Sequence, residues 1–300
     1  MRTSLGILFS LMVILGEQVA SAGEAYARPD LLIEPVTLSR PSVAKEFVIL
    51  DARKRGPYDE GRIPGAAWVD AAVWAKAFKD GMDAAGWSAR IGGLGIGSDS
   101  KVVIYDDTSF KDAARVWWIL KYWGVRDARL LNGNWTGWKK AGLRIETGKP
   151  KGPTPAKFTA KPLSERLSTK KWLLASLQDK GLQIVDARSE REFCGIDKEK
   201  NKRAGAIPGA KHLDWIDLID KPTQRFKSPG QLRKLFQDAG IDLARPTATH
   251  CQSGGRSSVM VFGMELLGAK AVSNYYASWA EWGNADDTPI VVPPKAKKVP

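Results

Sequence analysis

The chain repeats itself, and the repeat limits its possible folds more than any other feature. Phe47-Val48-Ile49-Leu50-Asp51-Ala52-Arg53 recurs as Leu182-Gln183-Ile184-Val185-Asp186-Ala187-Arg188, an apolar run ending in Asp-x-Arg, 135 positions later. Gly61-Arg62-Ile63-Pro64-Gly65-Ala66 recurs as Gly205-Ala206-Ile207-Pro208-Gly209-Ala210 at a separation of 144, so the second half carries nine extra residues between the two motifs. The separation of 144 then holds for Gly124 and Gly268, Trp135 and Trp279, and Trp138 and Trp282. Motifs kept in register over about 90 residues indicate two homologous domains.

Within each half the pattern reads strand, turn, helix, strand, loop, helix, strand. Val102-Val103-Ile104-Tyr105-Asp106 is a continuous apolar strand, and Ala113 to Tyr122 forms a helix stopped by Gly124. Apolar strands alternating with helices predict an α/β fold, with a mostly parallel sheet flanked by helices in each domain. Thr147-Gly148-Lys149-Pro150-Lys151-Gly152-Pro153-Thr154-Pro155 is too rich in Pro and Gly for either element and reads as a linker. The expected layout is a first domain over 30–148, a linker over 149–165, a second domain over 166–290 and a basic tail over 291–300.

Chemistry concentrates in Thr249-His250-Cys251-Gln252-Ser253-Gly254-Gly255-Arg256-Ser257-Ser258. Thr247-Ala248-Thr249 reads as the end of a buried strand, and Val259-Met260-Val261-Phe262 as the opening of an amphipathic helix running to Gly268. Reactive groups of parallel sheets gather at such strand ends. A helix N-terminus, loop N–H groups and the charge of Arg256 all favour thiolate over thiol at Cys251. Gly254 and Gly255 let the backbone curl around whatever the sulfur carries. At the separation of 144, Cys251 aligns with Asp107, and the first loop lacks the thiol, both glycines and the arginine. Only the second half is expected to be catalytic.

Cys251 to Ser257 resembles the active-site loop of rhodanese-type sulfurtransferases. Arg256 lies five residues after Cys251, a C-x4-R spacing one residue shorter than the C-x5-R of cysteine phosphatases, and a smaller ring of N–H groups suits sulfur better than phosphate. Arg115-Val116-Trp117-Trp118 and Leu131-Asn132-Gly133-Asn134-Trp135 resemble the first domain of tandem rhodaneses, the thiosulfate and 3-mercaptopyruvate sulfurtransferases, which keep an inactive first domain with Asp in place of the nucleophile. The resemblance covers about residues 30 to 285 and implies two rhodanese-like domains in an exported, bacterial-type member.

The resemblance further implies a double displacement. The Cys251 thiolate attacks the outer sulfur of a small anionic donor, of thiosulfate or 3-mercaptopyruvate type. A thiol, cyanide or protein-thiol acceptor then removes that sulfur from the persulfide. The loop N–H groups of Gln252, Ser253, Gly254, Gly255 and Ser257 are expected to hold it, with Arg256 stabilising both persulfide and donor and Ser253 and Ser257 adding hydroxyls. His250 is expected to be structural, because neighbouring side chains on a strand point to opposite faces. The family pattern also implies a substrate-binding arginine six residues after Asp186. Glu192 stands there, before Phe193, with Arg191 displaced by one and the insertion Gly195 to Arg203 close behind. A carboxylate at the mouth would repel an anionic donor. The expectation is weak, high-KM use of both donors, substrate binding by Arg191 only if the arm bends, and improvement by Glu192→Arg. Two His and two Cys, none at metal-ligand spacing, predict no metal site, and no cofactor is implied.

The net charge of +13 is scattered apart from Lys295, Lys297 and Lys298, without the aromatic-studded basic motifs of nucleic-acid binders, so no nucleic-acid partner is expected. Residues 1–22 read as a signal peptide. Met1-Arg2 precedes an apolar stretch from Leu5 to Gly16, and Ser21-Ala22 supplies small residues for cleavage, with Ala25-Tyr26-Ala27 a second candidate. That stretch is shorter than the roughly 20 residues that span a bilayer, so a periplasmic or secreted chain free of the membrane after cleavage is expected. With only Cys194 and Cys251, the chain does not depend on a disulfide framework. Two other readings stay open: a rhodanese-like binding or sensory module without turnover, and a thiol-disulfide component in which Cys194 and Cys251 pair.

Overall fold

Apolar runs of four or five residues, too short for helices and bounded by turns, become strands that bury both faces. The computed structural model describes residues 25–294. The first half holds β1 (Leu32–Ile33), β2 (Phe47–Asp51), β3 (Ala67–Trp68), β4 (Lys101–Tyr105) and β5 (Asp127–Leu131), in the order β1-β5-β4-β2-β3 with every neighbouring pair parallel. The second half holds β6 (Gln183–Asp186), β7 (Lys211–His212), β10 (Thr247–His250) and β11 (Val272–Asn274), in the order β11-β10-β6-β7, again all parallel. Between them lies an antiparallel hairpin of β8 (Ile219–Asp220) and β9 (Arg225–Phe226). Neither that hairpin nor β1 shows in the sequence pattern, because two-residue strands carry no periodicity.

The period of two along each strand divides the core. Val102 and Ile104 face one way and Val103 and Tyr105 the other; Val185 and Ile184 divide likewise. The inward sets of both sheets meet in one apolar cluster across the domain boundary. Two long helices carry the junction, Lys111–Tyr122 of the first half and Gly255–Leu266 of the second. Trp117 meets Phe262 edge-on with ring centroids 4.9 Å apart, while Phe226 lies 4.7 Å from Phe110 and 5.0 Å from Phe262. The Gly255–Leu266 helix is therefore buried on almost every face rather than amphipathic, its own sheet covering one side and the other domain the opposite one. It also starts four residues before the apolar run that announces it, because Gly254, at φ +85°, turns the chain straight into the first helical residue.

The second half of the expected linker is not a free tether. Ala156 N–H donates to the Gly92 carbonyl at 2.9 Å, and Lys161 and Leu163 donate to Trp123 and Tyr122, so this stretch runs as a strap over the first domain with Phe158 and Ala160 buried. A side chain at Gly92 would strike the strap's backbone. At the other end of the chain, Val291 pairs with Ala206, so the expected tail is still part of the fold at its first residue. Its lysines and the expected signal peptide lie outside the described residues. Among those residues no helix is long and apolar enough to cross a membrane.

Candidate active site

Cys251 follows β10 directly and faces the N-terminus of the 12-residue Gly255–Leu266 helix. Three hydrogen bonds fix its backbone: its N–H donates to Ser278 Oγ at 3.1 Å, its carbonyl accepts from Trp279 N–H at 3.0 Å, and the next carbonyl, of Gln252, accepts from Ala280. The thiol is 1% exposed. Burial alone would raise its pKa, but Arg256 first, then the Ser257 hydroxyl 3.5 Å from Sγ and the N–H groups of Ser257 and Ser253, outweigh it and hold the thiol below its ordinary value. A buried sulfur that is nonetheless easier to ionise is an activated nucleophile.

The predicted loop residues do different jobs. Gly254 needs its left-handed backbone and the absence of a side chain, since a Cβ would fall 2.6 Å from the Tyr276 ring. Gly255 has ordinary dihedrals; its missing Cβ makes room for the guanidinium of Arg115, which would lie 2.5 Å away. Ser257 is inside the first turn rather than capping it, and its hydroxyl lies 2.8 Å from Asn274 Oδ1. Ser253 is exposed and offers its carbonyl to Arg115. Gln252 points away from the sulfur. Its amide exchanges two hydrogen bonds with Asn201, at 2.9 and 3.2 Å, so the inserted segment clips the loop from behind.

Arg256 and Glu192 form a bidentate pair, with Nη1 2.6 Å and Nη2 2.8 Å from the two carboxylate oxygens. Glu192 also closes a capping box with Ser189 at the start of the Glu190–Phe193 helix, which turns its carboxylate inward and leaves it 4% exposed. This corrects the expectation of a carboxylate repelling donors at the mouth: Glu192 is buried and paired with Arg256, and Arg256 divides its charge between that carboxylate and the Cys251 sulfur. The ground for expecting a high KM disappears, and Glu192→Arg would set two guanidinium groups face to face instead of helping. Arg191 is exposed on that short helix and, like Cys251 and Arg256, is not among the residues that line the cleft beside the loop.

His250 is fully buried on β10 beside Asp186, and burial pulls its pKa down to about 4, so it stays neutral near pH 7 as a structural residue. No disulfide joins Cys194 to Cys251, and Cys194 Sγ donates to the Pro294 carbonyl at 3.6 Å. Among the described residues no cluster of His, Cys, Asp or Glu has the makings of a metal site.

The counterpart of Cys251 is Asp106, not Asp107. Strand register pairs Asp51 with Tyr105 and Asp186 with His250, so the residue after the central strand is Asp106 in one half and Cys251 in the other. Hydrogen bonds agree: Asp106 N–H donates to Asn134 Oδ1 and Asp106 carbonyl accepts from Trp135, as Cys251 does with Ser278 and Trp279. The first loop is one residue longer, so the central strands β4 and β10 match at a separation of 145 and the helices that follow them at 144. The Asp106 carboxylate curls back into its own loop and accepts from the N–H groups of Thr108, Phe110, Asp112 and Ala113 and from the Thr108 hydroxyl, at 2.9 to 3.2 Å.

Sequence reasoning missed Arg115, Asn274, Tyr276 and Ser278 as site residues. Ser278 was accessible, since it stands 144 after Asn134 in the repeated motif; the others become neighbours of Cys251 only through tertiary packing. The loop borders an interdomain cleft of about 990 Å³, lined by Arg53, Trp68, Lys111 and Arg115 of the first half and Ser253 and Tyr276 of the second.

The rhodanese-like domain model matches residues 34–141 and again 169–285. Thiosulfate sulfurtransferase of Corynebacterium glutamicum is 33% identical over 90% of this chain and 93% of its own length. The 3-mercaptopyruvate sulfurtransferase of Homo sapiens is 32% identical over 77% and 80%. Among solved structures, the 3-mercaptopyruvate sulfotransferase SseA of Escherichia coli superposes with a TM-score of 0.70 at 25% identity, covering 84% of this chain and 99% of that one.

Proposed function

The chain belongs to the rhodanese family and is a sulfurtransferase, and we propose that it works through a Cys251 persulfide, taking the sulfane sulfur of thiosulfate or the thiol sulfur of 3-mercaptopyruvate. The observation that carries this reading is the buried thiol held below its ordinary pKa by Arg256, Ser257 and loop N–H groups. With thiosulfate, the Cys251 thiolate attacks the outer sulfur; a new S–S bond forms, the old one breaks, and sulfite leaves with its electron pair. The persulfide keeps the negative charge that the thiolate had, so the same N–H groups and Arg256 stabilise both states. A thiolate or cyanide acceptor then attacks the outer sulfur and returns Cys251 to thiolate. Asn274 holds Ser257, and Ser278 and Trp279 hold the Cys251 backbone, so little reorganisation is needed at the moment of transfer. Mass spectrometry after incubation with thiosulfate should show one sulfur atom added to Cys251 and none in Cys251→Ser. Addition confined to Cys194 would sink the assignment.

Export to the periplasm or medium is part of the same reading. Cleavage after Ala22 leaves Tyr26, whose hydroxyl donates to the Lys227 carbonyl at 2.7 Å, whereas cleavage after Ala27 would remove it. The N-terminal sequence of the mature protein and its fractionation test this; an intact Met1 in the cytoplasm would refute it.

A further inference from the structure

An anionic donor needs a cation beside the sulfur, and Arg256 already shares its charge between the Glu192 carboxylate and Cys251. A second cation touching the catalytic loop belongs to the first domain. Arg115, on the Lys111–Tyr122 helix, reaches across the boundary so that Nη1 donates to the Ser253 carbonyl and to the Tyr276 hydroxyl, each at 2.9 Å. Its Nη2 fills the space that a side chain at 255 would take, beside the helix N-terminus that faces Cys251. Both acceptors are neutral oxygens, so these bonds orient the guanidinium without spending its charge. Tyr276 is itself locked, stacked on Trp118 at 5.1 Å and packed on Phe78 at 4.8 Å. The acidic side chains sharing this end of the cleft are Asp107 and Asp112, and the Asp112 carboxylate accepts from the Thr108 hydroxyl at 3.1 Å.

We propose that Arg115 is the donor-binding cation of the catalytic half, so that the domain without a nucleophile supplies the charge that seats an anionic donor over Cys251. This rests on the persulfide reading above and names its substrate-binding group. A guanidinium held in place before the donor arrives binds an anionic oxygen at little entropic cost. It also gives Gly255 a reason that backbone conformation does not: a methyl there would push Arg115 off the loop.

The test compares thiosulfate with methanethiosulfonate, in which a methyl replaces one anionic oxygen. Each gives its outer sulfur to the Cys251 thiolate, releasing sulfite or methanesulfinate with the electron pair of the broken S–S bond. In R115Q the ratio of kcat/KM for thiosulfate to that for methanethiosulfonate should fall about tenfold or more, mainly through KM, as expected for a lost charged hydrogen bond; R115K should recover part of it. The ratio does not depend on the fraction of protein folded. Should R115Q fail to fold, G255A, which displaces the guanidinium, should lower the same ratio. A ratio unchanged in these variants while Cys251 is still persulfidated overturns the role of Arg115. No persulfide on wild-type Cys251 with either donor would instead overturn the reading on which it rests.

Discussion

Glu192→Gln separates the two consequences of the Arg256 pair. Glutamine preserves the capping box with Ser189, so the helix start survives and only the charge is lost. Removing one partner from a fully buried pair costs about 3–5 kcal/mol, while an exposed pair contributes about 0–1. Here the side chains are 6% and 20% exposed, which places the loss at about 2–3 kcal/mol. For a chain of this length that is a fall in Tm of about 3–5 °C. Reactivity should move the other way, because Arg256 is the main influence holding the Cys251 pKa down against burial, and its countercharge is gone. Differential scanning calorimetry and titration of the thiolate ultraviolet absorbance, in a Cys194→Ala background, read the two effects. The pH dependence has a definite sign. Against the effect of burial, Arg256 and Ser189 hold the Glu192 carboxyl below its ordinary value, so the pair's contribution is present above the usual carboxylate range and lost as pH falls through the lowered value. The gap between wild type and variant should be full at pH 7 and shrink below about pH 4. An unchanged Tm at pH 7, or a raised Cys251 pKa, would refute the reasoning.

Three further outcomes follow from the geometry. Phe262→Ala, which empties the junction against Trp117 and Phe226, should cost about 3–5 kcal/mol and leave one calorimetric transition; two separate transitions in the wild type would show that the shared core does not couple the domains. The His250 ring should remain neutral by NMR at pH 5.5, and stability should fall as pH drops from about 6.5 towards the folded value of about 4, because only the unfolded chain takes up that proton; protonation in the folded protein at pH 6 would contradict this. Gly254→Ala, at φ +85° and against the Tyr276 ring, should destabilise by more than about 1 kcal/mol and slow sulfur transfer, whereas a stability equal to wild type would mean the loop can be rebuilt without it.

How much of this is legible in the sequence depends on the range of the interaction. Asp51 and Arg53, like Asp186 and Arg188, lie two apart and form their buried pairs locally, so the repeat exposes them. The strand, loop and helix around Cys251 are contiguous and read correctly as a unit, apart from the helix start that Gly254 advances. The error at Asp107 came from carrying one separation through a loop that differs by one residue, a difference visible only from the strand register. Glu192 was misjudged for another reason: its charge was counted, but Arg256 lies 64 positions away and nothing local shows that the two meet. Arg115 stands out as part of a motif, yet its reach across to Ser253 depends on how two domains pack.

The first-domain loop has a consequence for duplication. Asp106 places a carboxylate where an external anion would otherwise sit, tethered to the loop by its own backbone. A ligand attached in this way never dissociates into bulk solvent, and its effective concentration exceeds that of dissolved competitors. The first loop is thus filled by its own carboxylate as well as lacking a thiol. Of the two equivalent loops, only the one that holds Cys251 is not filled by a carboxylate of its own.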